Sequence, residues 1–324
     1  MDKELIGVIQ GSIKVVSVQN HDLVKVGYVL GLRVASNHRR KGIGSSLVRR
    51  LEEWFRSNEV DYAYMATEKA NHASVSLFMD KFGYTKFRTP AILVNPVNHH
   101  CFRISSSIEI TRLKVEEAES LYRRFMGCSD FFPDDIDRIL RNKLSLGTWV
   151  AYYKGDSSWG DFGNGEVPSN WAMLSVWNSG EIFKLRLGKA TLSCLLYTKS
   201  WSLIDRVFPC LKLPTLPDFL NPFGFYFMYG VCHEGPFSGR LVRGLCEFVH
   251  NMAAKCEDRE NIKIVVTEIG GRDELKHHIP HWKLLSSLDD LWCIKALKNE
   301  GANRFSEFTK TPPSTPLFVD PREV

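Results

Sequence analysis

Residues 26 to 55 place a strand, a basic loop and an amphipathic helix in direct succession, and this order limits the possible folds more than any other feature of the chain. The segment VGYVLGLRV (26 to 34) has the β-branched and apolar content of a strand. From Ile43 to Phe55, apolar residues recur every three or four positions, while arginines and glutamates fill the opposite face. The loop between them, RRKGIG, holds three basic residues and two glycines. This order predicts an α/β unit.

The RRKGIG loop (39 to 44) has the chemistry of an anion site. The first amides of a helix have no partners within it, so they point outward, and the helix dipole favours negative charge there. Glycines also let a phosphate approach the backbone closely. The loop lacks the Gly-x-x-x-x-Gly-Lys-Ser/Thr pattern, and Leu47 stands where a dinucleotide fingerprint requires glycine. The alternative is an ordinary turn with solvated basic side chains.

The pattern around this unit predicts the order β-β-α-β-α-β over the first 94 residues. Apolar and β-branched residues indicate strands near the start of the chain, at 60 to 67 and at 83 to 94. A second helical pattern covers residues 71 to 82. The alternation of strands and helices predicts a sheet that is covered by helices.

A later part of the chain repeats the first. The segment LVRGLCEFV (241 to 249) echoes LVRRLEEWF (47 to 55), and Thr267-Glu268 echoes Thr67-Glu68 at the end of a predicted strand. Strand and helix follow in the same order around both segments, which indicates an internal duplication. We therefore predict three regions, which are a domain at residues 1–97, a second domain at 98–300 and a C-terminal tail at 301–324.

These segments carry a specific resemblance. The strand YVLGLRV, the RRKGIG loop, its helix, the strand YAYMAT and then Asn71 resemble the acetyl-CoA core of the GNAT N-acetyltransferase superfamily. Over essentially the whole chain, KLSLGT, FMYG, IPHWKLLS, DLWCIK and FVDPRE are similar to the HOOKLESS group of plant N-acetyltransferases. The resemblance implies an α/β (α+β) fold of two tandem GNAT-like domains with mixed, mostly antiparallel central sheets.

The resemblance also implies which residues bind acetyl-CoA. The strand pairs with the pantetheine arm, the loop amides hold the pyrophosphate, and Asn71 contacts the cofactor, although that residue equally suits a helix cap. Phe78 occupies the position at which GNAT enzymes commonly carry a tyrosine that protonates the departing thiolate. The implied cofactor-binding residues are Leu32, Arg33, Val34, Arg39, Arg40, Lys41, Gly42, Ile43, Gly44, Asn71 and Phe78.

The acid and the base for the transfer are less evident from the residues. Because phenylalanine has no proton to give, Tyr84 or Tyr64 substitutes, the thiolate leaves with solvent help, or catalysis is weak. No carboxylate lies on the strand at 26 to 34, and the nearest, Glu68, is the first candidate base. His38 is another candidate proton acceptor, and the alternative for both is a solvated surface residue. We predict Glu68 and Tyr84 as the catalytic residues.

The second domain departs from the binding pattern. In the aligned loop, Pro236 and Ser238 replace Gly42 and Gly44, and Glu234 would repel a phosphate. Proline lacks the amide hydrogen that such a cradle needs. We therefore expect cofactor binding in the first domain only. Compared with the second domain and with the family, the first lacks its N-terminal elements, which are a strand, two helices and a further strand.

Composition restricts the remaining function classes. The 324 residues are 44% hydrophobic, and no apolar run reaches the length of a membrane span or follows a secretory leader pattern. Eight cysteines without a Cys-x-x-Cys pair indicate reduced thiols. Without a secretory leader pattern, the default expectation is an intracellular protein, in the nucleus or cytoplasm. The net charge of +5 is mild, so we expect no direct nucleic-acid binding. Pro280 between His277 and His281 argues against a metal site.

Together these features predict an acetyl-CoA-dependent N-acetyltransferase. Its acceptor is a protein lysine or another amine, with histones among the candidates, and the HOOKLESS resemblance implies a role in plant hormone-linked growth control. The alternative is a non-catalytic regulatory protein that keeps the CoA site and acts through protein contacts. The oligomeric state does not follow from the sequence.

Overall fold

A computed structural model describes residues 4–18, 22–98, 100–155, 167–186, 219, 221–256, 262–270, 273–287, 290–298 and 317–324. The first half of the chain, up to residue 98, contains β1 (Gly7–Val18), β2 (Asp22–Val34), α1 (Ile43–Ser57), β3 (Tyr62–Glu68), α2 (His72–Val75), β4 (Thr85–Arg88) and β5 (Pro90–Pro96). A π-helical turn at Ser76–Lys81 continues α2.

The second half begins after residue 98. It contains β6 (Ile108–Leu113), α3 (Val115–Met126), β7 (Phe132–Pro133), α4 (Ile136–Leu140), β8 (Ser145–Tyr153), β9 (Trp171–Asn178), β10 (Gly224–Glu234), α5 (Ser238–Lys255), β11 (Ile262–Gly270) and β12 (Asp290–Ala296). None of the helices in the described ranges combines the length and hydropathy needed to cross a membrane. The six cysteines in those ranges are free thiols, and Cys194 and Cys210 lie outside them.

The strands form two sheets of six. The first sheet has the order β4-β12-β3-β2-β1-β7, and the second has the order β5-β11-β10-β9-β8-β6. Each sheet contains one parallel pair, β2 with β3 and β10 with β11, and α1 and α5 connect these two pairs. The other pairs are antiparallel. Mixed, mostly antiparallel sheets in two repeated units confirm the predicted fold class.

The two halves exchange strands. β5 pairs with β11 of the second half, and β12 inserts between β3 and β4 of the first half. The single strand predicted at residues 83 to 94 is therefore wrong, because β4 and β5 join different sheets. The predicted domain limits stay a prediction, since each sheet takes a strand from across residue 97. Residues 301–316 of the predicted tail lie outside the described residues.

The buried residues form layers that follow the apolar pattern of the elements. Val48 and Phe55 of α1 pack on one face of the first sheet, and Leu241 and Val249 of α5 pack on one face of the second. The remaining faces of both sheets meet in an aromatic core that also takes in α3 and the segment at 317–324. The helices bury these faces because their apolar side chains recur every three or four residues.

Candidate functional site

A groove opens where β2 and β3 diverge. The two strands pair from Val26 opposite Tyr62 to Val29 opposite Met65, and the pairing then stops. β2 continues beside β1, and β3 continues beside β12, so the strand ends separate. The groove has a volume of about 1180 Å³ and is lined by residues 5–8, 32–36, 38–40, 42–45, 71–74, 76, 77 and 81.

A bulge in β2 lies just beyond the point of divergence. Gly31 has a φ of +63°, a left-handed conformation that favours glycine, and the pairing of β1 with β2 shifts register there. In the second half, Gly230 has a φ of +59° at a register shift of β10. The repeated bulge adds a structural correspondence to the repeated sequence.

The start of α1 faces the groove with its backbone exposed. Gly42 is the N-cap residue with a φ of +82°, no side chain caps the helix, and no acidic residue lies in its first turn. The Ser46 amide donates to the Gly42 carbonyl at 3.0 Å as a helical hydrogen bond. Added Cβ atoms would meet nothing within 4 Å at Gly42 and nothing nearer than 3.8 Å at Gly44. The first residues of α1 therefore adjoin open space, as an anion site requires.

The structure brings most of the predicted binding residues together. The groove lining includes Leu32, Arg33, Val34, Arg39, Arg40, Gly42, Ile43, Gly44 and Asn71. Lys41 is exposed outside the lining, and Phe78 is buried in the core behind it. Asn71 caps α2, since its Oδ1 accepts a hydrogen bond from the Ser74 amide at 3.3 Å. These binding roles stay predictions, and their placement is consistent with them.

The predicted catalytic residues lie away from this groove lining. Glu68 is exposed at the end of β3, opposite Asp290 of β12. Tyr84 is buried against Phe78, with ring centroids 5.2 Å apart, in the core that faces α1. Burial, with a further contribution from Glu52, raises the pKa of Tyr84 well above its usual range. The structure does not bring Glu68 and Tyr84 together.

The equivalent loop of the second half is already capped. The Phe237 amide donates to Asn170 Oδ1 at 2.8 Å, and the Ser238 amide donates to the Gly235 carbonyl at 3.2 Å. Pro236 has no amide hydrogen to contribute. Amides that are engaged within the protein are not free to hold an anion. This arrangement agrees with the expectation of a single cofactor site in the first half.

Comparisons with known proteins connect this geometry to a family. Residues 1–84 match the model of the acetyltransferase (GNAT) family. Two Arabidopsis thaliana proteins, "Probable N-acetyltransferase HLS1-like" and "Probable N-acetyltransferase HLS1", are 42% and 44% identical to this chain, and each comparison covers 99% of this chain and 84% of the relative. The chain belongs to the GNAT acetyltransferase family. The predicted resemblance is therefore confirmed, and with it the enzyme class and acetyl-CoA as the family's cofactor.

Two further comparisons concern one relative in sequence and one protein that is similar in fold. The rice protein "Acetyl transferase GW6a" is 36% identical, over 99% of this chain and 74% of its own length. The structure of Saccharomyces cerevisiae N-myristoyltransferase with bound myristoyl-CoA is similar, with a TM-score of 0.50 at 8% identity. That similarity covers 90% of this chain and 63% of the yeast chain, and it supports the fold alone.

A buried group of charges lies on the other face of the GNAT sheet, and sequence reasoning missed it. Glu268 Oε1 accepts a hydrogen bond from the Trp292 indole at 3.0 Å, and burial raises the pKa of Glu268 to about 8. Burial also raises the pKa of Asp290 to about 6. Glu323 accepts a hydrogen bond from the Tyr64 hydroxyl and forms an ion pair with Lys14 Nζ at 2.7 Å. The repeated Thr-Glu pair was the available signal for Glu268.

Glutamine at position 268 is expected to change how stability depends on pH. The carboxyl of Glu268 titrates near 4.5 when exposed and near 8 in the folded chain, so the folded state retains a proton that the unfolded state loses. The free energy of unfolding therefore falls as pH rises from about 4.5 to about 8, and Glu268→Gln removes this loss. Melting temperatures at pH 5 to 9 should show an advantage of the variant that grows up to about pH 8. A pH-independent difference would contradict this expectation.

Proposed function

We propose that this protein transfers the acetyl group of acetyl-CoA to a protein lysine or another amine. The divergence of β2 and β3 beside the uncapped start of α1 is the observation that carries the proposal. The role in plant hormone-linked growth control, histones as candidate acceptors and a nuclear or cytoplasmic location rest on the HOOKLESS resemblance. They are part of the proposal.

The groove offers separate chemistry for each part of the cofactor. The backbone at Leu32 to Val34 lies along the groove beyond the last β2–β3 pair, where a pantetheine arm can pair with it. The amides of Ile43 and Gly44 and the guanidinium groups of Arg39 and Arg40 suit the negative pyrophosphate. The bound cofactor supplies an activated acetyl thioester. The residues of this chain bind and orient it.

Glutamate at Gly44 is expected to weaken acetyl-CoA binding at least tenfold. The position is the second residue of α1 and has room for a side chain, so a carboxylate there repels the pyrophosphate. A tenfold change corresponds to about 1.4 kcal/mol. An acidic residue in the first turn favours the helix itself, so the variant should fold. Calorimetric titration with acetyl-CoA measures the effect.

Alanine at the same position is the matched control. Gly44→Ala keeps the amide and adds only a methyl group whose nearest neighbours lie at 3.8 Å, so its affinity should stay within about threefold of the parent. Equal acetyl-CoA affinity in Gly44→Glu and the parent would overturn the assignment of the loop.

A non-catalytic CoA-binding regulator is the second candidate. Phe78 is buried and has no proton to give, and Tyr84 is held in the core on the α1 side of the sheet. These placements favour binding without transfer. Incubation with acetyl-CoA and a panel of core histones, Nα-blocked single-lysine peptides and small primary amines separates the two functions. Acetylated product supports the enzyme, and tight acetyl-CoA binding with no product supports the regulator.

A further inference from the structure

We propose that Glu268, supplied by the second half of the chain, is the catalytic base that accepts the proton of the acceptor amine where β2 and β3 diverge. This inference rests on the proposed acetyltransferase function and adds the residue that activates the acceptor. Glu268 belongs to Thr267-Glu268, the pair in the second half of the chain that repeats Thr67-Glu68 of the first half.

Strand register places the Glu268 carboxylate near the point along β3 at which β2 and β3 stop pairing. Trp292 of β12 pairs with Ala66 of β3, one residue beyond Met65, the last residue of β3 that pairs with β2. The indole of Trp292 donates to Glu268 Oε1 at 3.0 Å. Because β12 is exchanged into the first sheet, a carboxylate of the second sheet comes next to the opening between the two strands.

The carboxylate lies on the face of the sheet opposite α1. Tyr28, Tyr64, Ala66 and Trp292 all belong to the core between the two sheets. Their sequence neighbours on the strands, such as Met65, face α1 instead. The cofactor loop lies at the α1 end of the groove, so an acceptor that enters from between the sheets can meet the thioester from the other side. Tyr28, Ala66 and Glu268 line this side of the divergence, and each keeps some solvent-accessible surface although most of it is buried.

The groups that face Glu268 suit the binding of a cationic amine. Asp290 of β12 and Glu323 of the C-terminal segment both raise the pKa of Glu268 after the larger effect of burial, and the Trp292 hydrogen bond opposes them. Tyr28 of β2 lies near the same three carboxyls. Further charged groups lie one step away, because Glu68 lies next to Asp290, and Lys14 and Asp320 both act on Glu323.

A carboxyl with a pKa of about 8 is well matched to accepting a proton from the acceptor amine. A base accepts protons most effectively when its pKa lies close to the working pH. Asp290, with a pKa of about 6, is ionised near neutral pH and attracts an ammonium group. By contrast, Glu68 is exposed at the strand end beside Asp290.

The proposed step balances in protons and electron pairs. Glu268 takes one proton from the acceptor ammonium, which leaves a neutral amine. The amine nitrogen then forms a bond to the acetyl carbon while the carbon–sulfur bond breaks and its electron pair goes to sulfur. The second proton leaves the nitrogen and passes to the thiolate, so the products are the amide and CoA with a free thiol. Glu268 releases its proton to solvent before the next turnover.

The test compares Glu268→Gln with Glu109→Gln in the full chain. Glutamine at 268 can still accept the Trp292 hydrogen bond but cannot take a proton. Glu109 lies exposed on β6 of the same sheet and controls for the loss of one charge. The readouts are acetyl-CoA affinity by calorimetry, kcat with Nα-blocked single-lysine peptides from pH 6 to 10.5, and carboxyl titration by NMR of glutamate labelled with carbon-13.

The expected results separate a base from a structural residue. Glu268→Gln should bind acetyl-CoA within twofold of the parent and lose about 100-fold or more in kcat at pH 7.5. The loss should shrink toward pH 10.5, where the acceptor ammonium loses its proton to solvent without a base. One carboxyl resonance with a midpoint near pH 8 should disappear in the variant. Glu109→Gln should match the parent in every readout.

Three outcomes overturn the proposal, and they are distinguishable. Equal kcat in Glu268→Gln and the parent refutes the base while leaving the acetyltransferase function intact. A large loss of kcat in Glu68→Gln, without one in Glu268→Gln, moves the base to Glu68. A parent chain that binds acetyl-CoA and transfers to none of the peptides refutes the acetyltransferase function, and the base assignment fails with it.

Discussion

Alanine at Asp130 is expected to lower the free energy of unfolding by about 3 to 5 kcal/mol, the typical result of breaking a buried ion pair. Arg88 Nε donates to Asp130 Oδ2 at 2.9 Å, and the Nη2 group of Arg88 donates to the same oxygen. Both side chains are buried, at 6% and 1% exposure. The variant leaves the guanidinium charge in the interior without this carboxylate. Urea unfolding monitored by circular dichroism measures the change.

The Arg88–Asp130 pair connects the two halves, because Arg88 ends β4 and Asp130 follows α3. The combined replacement Arg88→Met with Asp130→Leu removes both charges and should recover most of the lost stability. Glu116→Ala breaks the exposed pair with Arg141 and should leave the unfolding midpoint almost unchanged. If Asp130→Ala shifts the midpoint no more than Glu116→Ala does, the buried pair does not hold the halves together.

Alanine at Phe318 is expected to cost about 3 to 5 kcal/mol of stability, as for other large-to-small changes in a core. The side chain is fully buried, and its ring packs against Phe132 and Tyr229 with centroids 5.4 and 6.2 Å away. The Phe318 amide also donates to the Asp130 carbonyl at 3.0 Å. The variant leaves a cavity between elements of both sheets. Thermal and urea unfolding measure the loss.

Two variants control for the size and the position of this change. Phe318→Leu keeps most of the volume and should cost less than about 1.5 kcal/mol. Phe237→Ala removes an aromatic ring that is 63% exposed, so its effect should stay within about 0.5 kcal/mol. Equal effects of Phe318→Ala and Phe237→Ala would show that the segment at 317–324 adds little to the core.

Sequence pattern located the main elements because helices and strands depend on local spacing. The helix predicted from Ile43 and the strand predicted at 26 to 34 are both present. The repeated segments in the second half lie in α5 and β11. Weaker patterns are less reliable. The sequence also predicts a helix near DELKHHI (273 to 279), where the structure has only a 3-10 turn at Glu274–His277. Such short segments take their conformation from tertiary packing.

The groove was predictable for the same local reason. Its loop and helix start are contiguous in sequence, so the glycines and arginines that line it could be named before their positions were known. The side chains proposed for proton transfer were not predictable in this way. Glu68 and Glu268 have the same sequence neighbour, but only Glu268 is part-buried against Trp292. The two carboxyls differ in how far they are removed from solvent, and that burial depends on residues distant in sequence.

The sequence by itself therefore determined the family, the repeated strand–helix unit and the loop with an anion-binding helix start, because these follow from local pattern and from similarity along the chain. Only the tertiary structure decided that β5 and β12 change sheets, since an apolar strand pattern does not name its partner. That exchange places Trp292 beside Glu268 and puts the carboxyl at the opening between β2 and β3. The chemistry proposed for Glu268 thus depends on burial and register, which the order of residues does not specify.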